Sequence, residues 1–256
     1  MTFNSQICNA YIFDFNEKGT IFKLAGKLED DGEFKTLAFA DNNYNIELFD
    51  YTNKVGFMMN DSSVGNKNGW KYSYMRTSVL GSNTGDDGIE VKSDTLYKAL
   101  PKEVIKYLKP LTVYTDNALH TGETREDNIY LESDITATTD YLPLLAASEV
   151  YPDIETENGN PLKNSKGFYV MNEHELKYCK KYDYFKSSDD RYAYNFESDK
   201  NNYTVQQWLR SPSIENPLQS YCVISNYSDA IGKIGSALSN YSLAISPIFL
   251  IAEDDI

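Results

Sequence analysis

The sequence has little of what most metal and redox sites are built from: three cysteines and two histidines in 256 residues. Cys8, Cys179 and Cys222 are far apart and odd in number, and no C-x-x-C pair occurs. That disfavours a disulfide scaffold, a zinc knuckle and a dithiol redox centre. Buried free thiols are expected, with a single Cys179–Cys222 bridge as the open alternative. His120 and His174 have no second His or Cys at ligand spacing, which argues against a transition-metal site. No stretch approaches the roughly 18 consecutive apolar residues of a membrane-spanning helix, so no membrane insertion is expected. The segment MTFNSQICNAYIFDFNEKG lacks a basic region followed by an apolar run, and does not read as a secretory signal. The expected location is the producing cell's cytoplasm, or outside it by a signal-free route such as release within a phage particle.

Positive charge is also scarce. With 24 Lys+Arg against 38 Asp+Glu, the formal charge is −14 and the pI is near 4.6. Neutralising phosphates needs clustered Lys and Arg, so nucleic acid is not an expected partner, and anionic membrane surfaces are disfavoured for the same reason. Neither a G-x-S-x-G elbow nor a P-loop is present; Gly232-Lys-Ile-Gly235 lies between expected strands and opens no helix. What the chain does have is apolar material for a core, 41% of its residues, and 21 tyrosines. Its length suits one elaborate domain or two small ones.

Short aromatic and β-branched runs bounded by turn residues predict strands at Ala10–Phe15, Thr20–Leu24, Phe34–Phe39 and Asn45–Phe49. They form a β-rich unit over residues 1–60, followed by an Asn/Ser/Gly-rich junction at 60–69. Beyond it the pattern turns helical. An amphipathic helix is expected over Trp70–Leu80, ending in the loop 81–88. Another, capped by Ser93 or Asp94, should run over Thr95–Leu100, and a further turn from Pro101 through Leu108 should stop at Pro110. Strands are expected at Leu111–Tyr114 and Tyr141–Leu145. Asn172 with Glu175 resembles a capping box opening a helix through Leu176, Cys179 and Tyr182. Strands follow at Val205–Leu209, Ser220–Ile224, Ile231–Leu238 and Leu243–Ile251. The class is α+β, with helices in the middle and strands at both ends.

Two clusters invite a chemical reading. The loop around Asp86, Asp87 and Glu90 supplies oxygen ligands that calcium accepts, although the spacing is not that of an EF-hand and a solvated turn is the simpler expectation. Glu155 and Glu157 read as surface charge. The most informative stretch is Gln206-Gln-Trp208-Leu-Arg210-Ser-Pro212. On a strand, Trp208 and Arg210 share a face, which suggests a packed or stacked pair with the guanidinium satisfied by carboxylates or carbonyls.

Trp208-Leu-Arg-Ser-Pro212, followed by strand–turn–strand material and a Pro-bearing strand, resembles an uncharacterised family with the signature W-L-R-S-P then V-R-P, found in bacterial surface proteins and bacteriophages. Its members resemble the C-type-lectin-like fold shared by the formylglycine-generating enzyme and by variable phage receptor-binding proteins. Other blocks agree in order: Gly69-Trp70 with Ser73 and Met75-Arg76, Tyr97 to Pro101, Asp140-Tyr-Leu-Pro-Leu-Leu145 with Ser148-Glu-Val150, and Tyr182-Asp-Tyr-Phe185 with Arg191-Tyr192. The family's V-R-P stands here as Ile245-Ser246-Pro247, so its second arginine is missing. The enzyme branch holds copper with two cysteines, and only Cys222 follows Cys179, so an oxidase of that type is not expected.

The resemblance implies a C-type-lectin-like domain over residues 69–256, with short helices around small antiparallel sheets, preceded by the 1–60 unit as an attachment element. It implies Trp70, Arg76, Trp208 and Arg210 as structural core. Residues 205–248 carry two acids and two bases with nine Ser, three Asn and three Tyr, a composition suited to adaptable contact surfaces. In phage relatives the last strands and loops carry the ligand surface, which places ligand binding at Tyr221, Asn226, Tyr227, Asp229, Asn240 and Tyr241. The implied function is non-enzymatic and virion-associated, in a tail, fibre or head decoration. Partners would be a host-surface glycan or protein receptor, other virion proteins and further copies of the chain. A purely structural subunit and a bacterial adhesin are the alternatives.

Overall fold

The structure is a computed structural model that describes residues 2–3, 6–7, 10–24, 26–28, 34–38, 58–60, 69–93, 95–116, 132–151, 175–180, 182, 184–185, 191, 193–195, 204–213, 218–223, 234–241 and 243–252. The strands are β1 (Thr2–Phe3), β2 (Gln6–Ile7), β3 (Ala10–Asn16), β4 (Gly19–Leu24), β5 (Gly26–Leu28), β6 (Phe34–Ala38), β7 (Leu108–Lys109), β8 (Leu111–Asp116), β9 (Ile135–Asp140), β10 (Ala193–Asn195), β11 (Thr204–Val205), β12 (Gln207–Pro212), β13 (Gln219–Val223), β14 (Ile234–Leu238) and β15 (Ile248–Ile251). The α-helices are single turns: α1 (Leu96–Ala99), α2 (Lys102–Ile105), α3 (Ala147–Val150) and α4 (Glu175–Tyr178). A π-helix spans Met75–Leu80. Mixed short helices and mainly antiparallel sheets make the protein α+β.

The central sheet has the order β3-β4-β15-β7. β4 lies antiparallel between β3 and β15, with Ile21 opposite Leu250 and Lys23 opposite Ile248. A hairpin from the first 24 residues therefore shares a sheet with the last described strand, whereas the sequence alone sets residues 1–60 apart. Strand alternation sends neighbouring side chains to opposite faces, and the residues use this strictly. Leu24 and Phe249, with Phe22 packed against them, join a cluster containing Trp70, Met75, Leu80, Leu96, Leu108, Trp208 and Ile245. Ile21, Ile248 and Leu250 join a second cluster with Phe13, Leu111, Val113, Leu145, Tyr182 and Leu209. The sheet thus stands between two cores.

The remaining sheets are β12-β13-β14, β8-β9, β1-β2 and β11-β10-β6-β5, the last containing a parallel β6–β10 pair. Local chemistry explains most ends. Gly81 closes the π-helix in the left-handed region at φ 61°, and a Cβ there would meet the Thr95 hydroxyl oxygen at 2.2 Å, so the position requires glycine. The cap of α1 is Thr95, whose hydroxyl accepts from the Lys98 N–H, and not Ser93 or Asp94. Expected helix over Trp70–Leu80 is π-helix in its second half, and Leu108 opens β7 instead of extending α2. The expected strand at 141–145 is an irregular segment between β9 and α3. The expected strand at 45–49 lies outside the described residues.

Candidate functional site

Two arginines, each fully buried, organise the interior. Arg210 on β12 uses every guanidinium donor. Its Nη1 and Nη2 grip Glu149 at 2.6 and 2.8 Å, Nη1 also reaches the Leu144 carbonyl at 2.6 Å, Nη2 the Tyr114 carbonyl at 3.0 Å, and Nε the Thr115 hydroxyl at 3.0 Å. Burial alone works against the charged form, but the charge and hydrogen bonds of Glu149 outweigh it and hold the guanidinium above its ordinary range. Glu149 sits at the third position of α3 and also accepts the Ala146 N–H at 2.8 Å, which caps that helix.

Beside it Glu175, at the start of α4, accepts hydroxyls from Ser148 at 2.8 Å and Ser211 at 2.9 Å, and the Asp116 N–H at 2.8 Å. Ser211 in turn accepts the Ala147 N–H at 2.9 Å. The Cys179 sulfur, a free thiol, donates to the Tyr114 carbonyl at 3.4 Å. Burial pushes that thiol up, and Glu175 and Glu149 push it further, so it is held protonated and unreactive. The thiol is free, as expected, and the alternative bridge to Cys222 is not formed.

The second node is Arg76, in the π-helix. Its Nε meets Asp140 at 2.6 Å, Nη1 the Lys71 carbonyl at 2.8 Å, and Nη2 Asp87 at 2.8 Å. Asp140 also accepts from the Trp70 indole at 3.0 Å and the Thr138 hydroxyl at 2.7 Å. The calcium reading of the 81–90 loop meets this geometry directly. Asp87 is committed to Arg76, Glu90 pairs with Lys92 at 2.5 Å, and Asp86 accepts from Thr84. Among the described residues no group of three or more His, Cys, Asp or Glu is placed to hold a metal ion. His120, His174, Glu155 and Glu157 lie outside the described residues.

The expected core residues Trp70, Arg76, Trp208 and Arg210 are all buried. Trp208 and Arg210 do not stack, however. A bulge between Trp208 and Pro212 breaks the alternation; the Trp208 ring packs in the first core and the Arg210 fork turns to Glu149. Of the expected ligand positions, Asn240 and Tyr241 are exposed, Tyr241 by 53%. They follow Leu238, which pairs with Gln219, at the end of the β13–β14 ladder opposite the Val223–Ile234 pair. Leu218, 48% exposed, reaches the same end through the Ser239 N–H at 2.8 Å. Tyr221 lies mid-ladder opposite Ser236, with its side chain outside the description. Asn226, Tyr227 and Asp229 lie outside the described residues.

Sequence reading missed Glu149, Glu175 and Asp140 as the buried carboxylates. A signal was present: two arginines on apolar elements demand nearby acids. It also missed Lys23, 1% exposed on β4, whose amine has neither hydrogen bond nor ion pair among the described residues. Burial lowers its amine from 10.5 to about 7.

Compared with protein-family models, curated proteins and solved structures, the chain matches none. Among the described residues no helix is long and apolar enough to cross a membrane.

Proposed function

We propose that this is a non-enzymatic bacteriophage protein, part of a tail, fibre or head decoration, with a C-type-lectin-like module that binds a receptor on the host surface. The observation that carries the reading is a division within the C-terminal third. Trp208, Arg210 and Ser211 of the W-L-R-S-P block are spent on the interior, while Asn240, Tyr241 and Leu218 stand exposed together at one end of the β12-β13-β14 sheet. An exposed Tyr and amide in the same sheet region as a buried, hydrogen-bonded block suits recognition by contact and hydrogen bonding, since Tyr brings area at low entropy cost. The neutral composition of 205–248 fits the same use.

The test is binding of the purified chain to host cell envelopes, wild type against Asn240→Ala/Tyr241→Ala. At least a tenfold loss is expected on the order of one or two lost anchor contacts. Unchanged binding with intact folding rejects this site. A purely structural subunit is the second reading, favoured by the apolar exposure of Leu218 and Tyr241 as a neighbour contact. Electron microscopy of a particle separates them: a structural subunit buries Tyr241 against its neighbour, and a receptor binder leaves it free.

A further inference from the structure

Residues 98–109 contain Lys98, Lys102, Lys106 and Lys109 against the single acid Glu103, so 4 − 1 = +3, in a chain whose net charge is −14. All four lysines are exposed. Lys102 and Lys106 bracket α2 at a spacing of one helical turn, roughly 6 Å along the axis. Lys98, at the end of α1, lies over the Tyr97 ring at 5.6 Å, and Lys106 over the Tyr107 ring at 4.8 Å. Tyr97 in turn stacks on Tyr141 with centroids 4.8 Å apart. Among the described residues, Lys98, Lys102 and Lys106 form no ion pair. Lys98, Lys102 and Lys106 thus set ammonium groups without an ion-pair partner among the described residues beside partly exposed tyrosine rings.

The chemistry of the patch narrows its occupant. A protein partner needs an apolar centre to bury, yet Leu96, Leu100 and Leu108 are buried and Val104 and Ile105 pack against the first core, leaving no large aliphatic side chain exposed here. Duplex DNA carries about one charge per 1.7 Å and asks for dense Arg and Lys, which +3 within an acidic chain does not supply. Lysines are compact, hydrated point charges without the planar fork that selects a single carboxylate or phosphate. Spaced a turn apart beside ring faces, they suit a hydrated chain of sparse acid groups whose sugar rings lie against tyrosine.

We infer that the α1–α2 surface binds an anionic polysaccharide, through Lys98, Lys102 and Lys106 to its carboxylates and through the exposed parts of Tyr97 and Tyr107 to its sugar rings. This rests on the surface-recognition reading above but uses residues other than Asn240 and Tyr241.

Affinity electrophoresis of the full chain through gels holding polygalacturonate, neutral dextran or duplex DNA tests it. Retardation by polygalacturonate at low salt is expected, with none by dextran, fading between about 50 and about 200 mM salt. Lys98→Gln/Lys102→Gln/Lys106→Gln should weaken it about tenfold, against no change for Tyr241→Ala. These lysines are exposed, so the variant folds, which circular dichroism verifies. Equal retardation of wild type and variant, no retardation at all, or stronger retardation by DNA each overturns the inference. A chain that binds host envelopes through Tyr241 but ignores polygalacturonate overturns it while leaving the recognition reading standing.

Discussion

Arg210 and Glu149 meet fork to fork in the interior, at 2.6 and 2.8 Å, with the guanidinium fully buried and the carboxylate 4% exposed. Removing one partner strands the other charge, which typically costs about 3–5 kcal/mol, whereas replacing both with apolar residues of similar size is often close to neutral. Arg210→Ala should therefore lower the urea-unfolding free energy by that amount. Arg210→Met/Glu149→Leu should recover part of it, and full recovery is not expected because Glu149 also caps α3. A single-variant loss below about 1 kcal/mol would mean the pair is solvated.

Asp140 and Asp87 share Arg76 unequally. Asp140 is fully buried and also holds the Trp70 indole and the Thr138 hydroxyl, while the Asp87 side chain is 19% exposed. Asp140→Asn should cost roughly 3–5 kcal/mol and Asp87→Asn about 1 kcal/mol or less. Chemical denaturation of the two variants side by side gives the comparison, and equal losses would contradict the asymmetry.

Trp208 is 2% exposed within the first core. Trp208→Ala should cost about 3–5 kcal/mol in the same assay. A small loss would place the ring at the surface, where it would be open to a ligand.

Lys23 carries a pH signature. Its amine is lowered from 10.5 to about 7 by burial, so between those values the unfolded chain holds a proton that the folded chain lacks. Stability accordingly carries its full penalty below about pH 7 and rises with pH up to about 10.5. The drop corresponds to roughly 4–5 kcal/mol as an upper figure. Lys23→Met should raise the melting temperature at pH 6 and flatten the pH dependence through this window. A variant no more stable than wild type at pH 6 would show that the amine reaches water.

Cys179 sits beside two buried carboxylates with its thiol pushed up by burial. In a Cys8→Ser/Cys222→Ser background, Ellman's reagent at pH 8 should react slowly with the folded chain and fast in urea. Fast labelling of the folded chain would mean the α4 end opens readily.

How much of this was legible depends on where the information sits. Ala10–Asn16, Gly19–Leu24 and Gln219–Val223 announce themselves through local alternation and flanking turns, so their strands are readable to within a residue or two. The burial of Trp70 and Arg76 was expected only through the resemblance, whereas that of Trp208 and Arg210 was legible from their spacing on a strand. The identity of the arginine partners was not, because Glu149 lies 61 residues and Asp140 64 residues from the arginine it binds. Residues 141–145 alternate like a strand but spend their backbone elsewhere: Leu142 N–H on the Ser82 hydroxyl, and the Pro143, Leu144 and Leu145 carbonyls on Ile248, Arg210 and its backbone. Tertiary bonding overrode the local pattern. The lysine at 23 was hidden for the opposite reason: the alternation that places Ile21 in the second core carries Lys23 to the same face with no partner for its amine among the described residues.

The β4–β15 pairing has a temporal consequence. Ile21 and Leu24 emerge from the ribosome more than two hundred residues before Leu250 and Phe249, the side chains they pack with in the finished cores. At about 5–20 residues per second, the first hairpin waits on the order of ten seconds or more with one strand edge and both apolar faces uncovered. Both cores take side chains from β15, so a product cut short before residue 248 lacks Phe249 in the first and Ile248 and Leu250 in the second. Such a chain reaches its final form in a late, nearly all-or-none step, and the exposed hairpin is the segment a holding chaperone would be expected to meet.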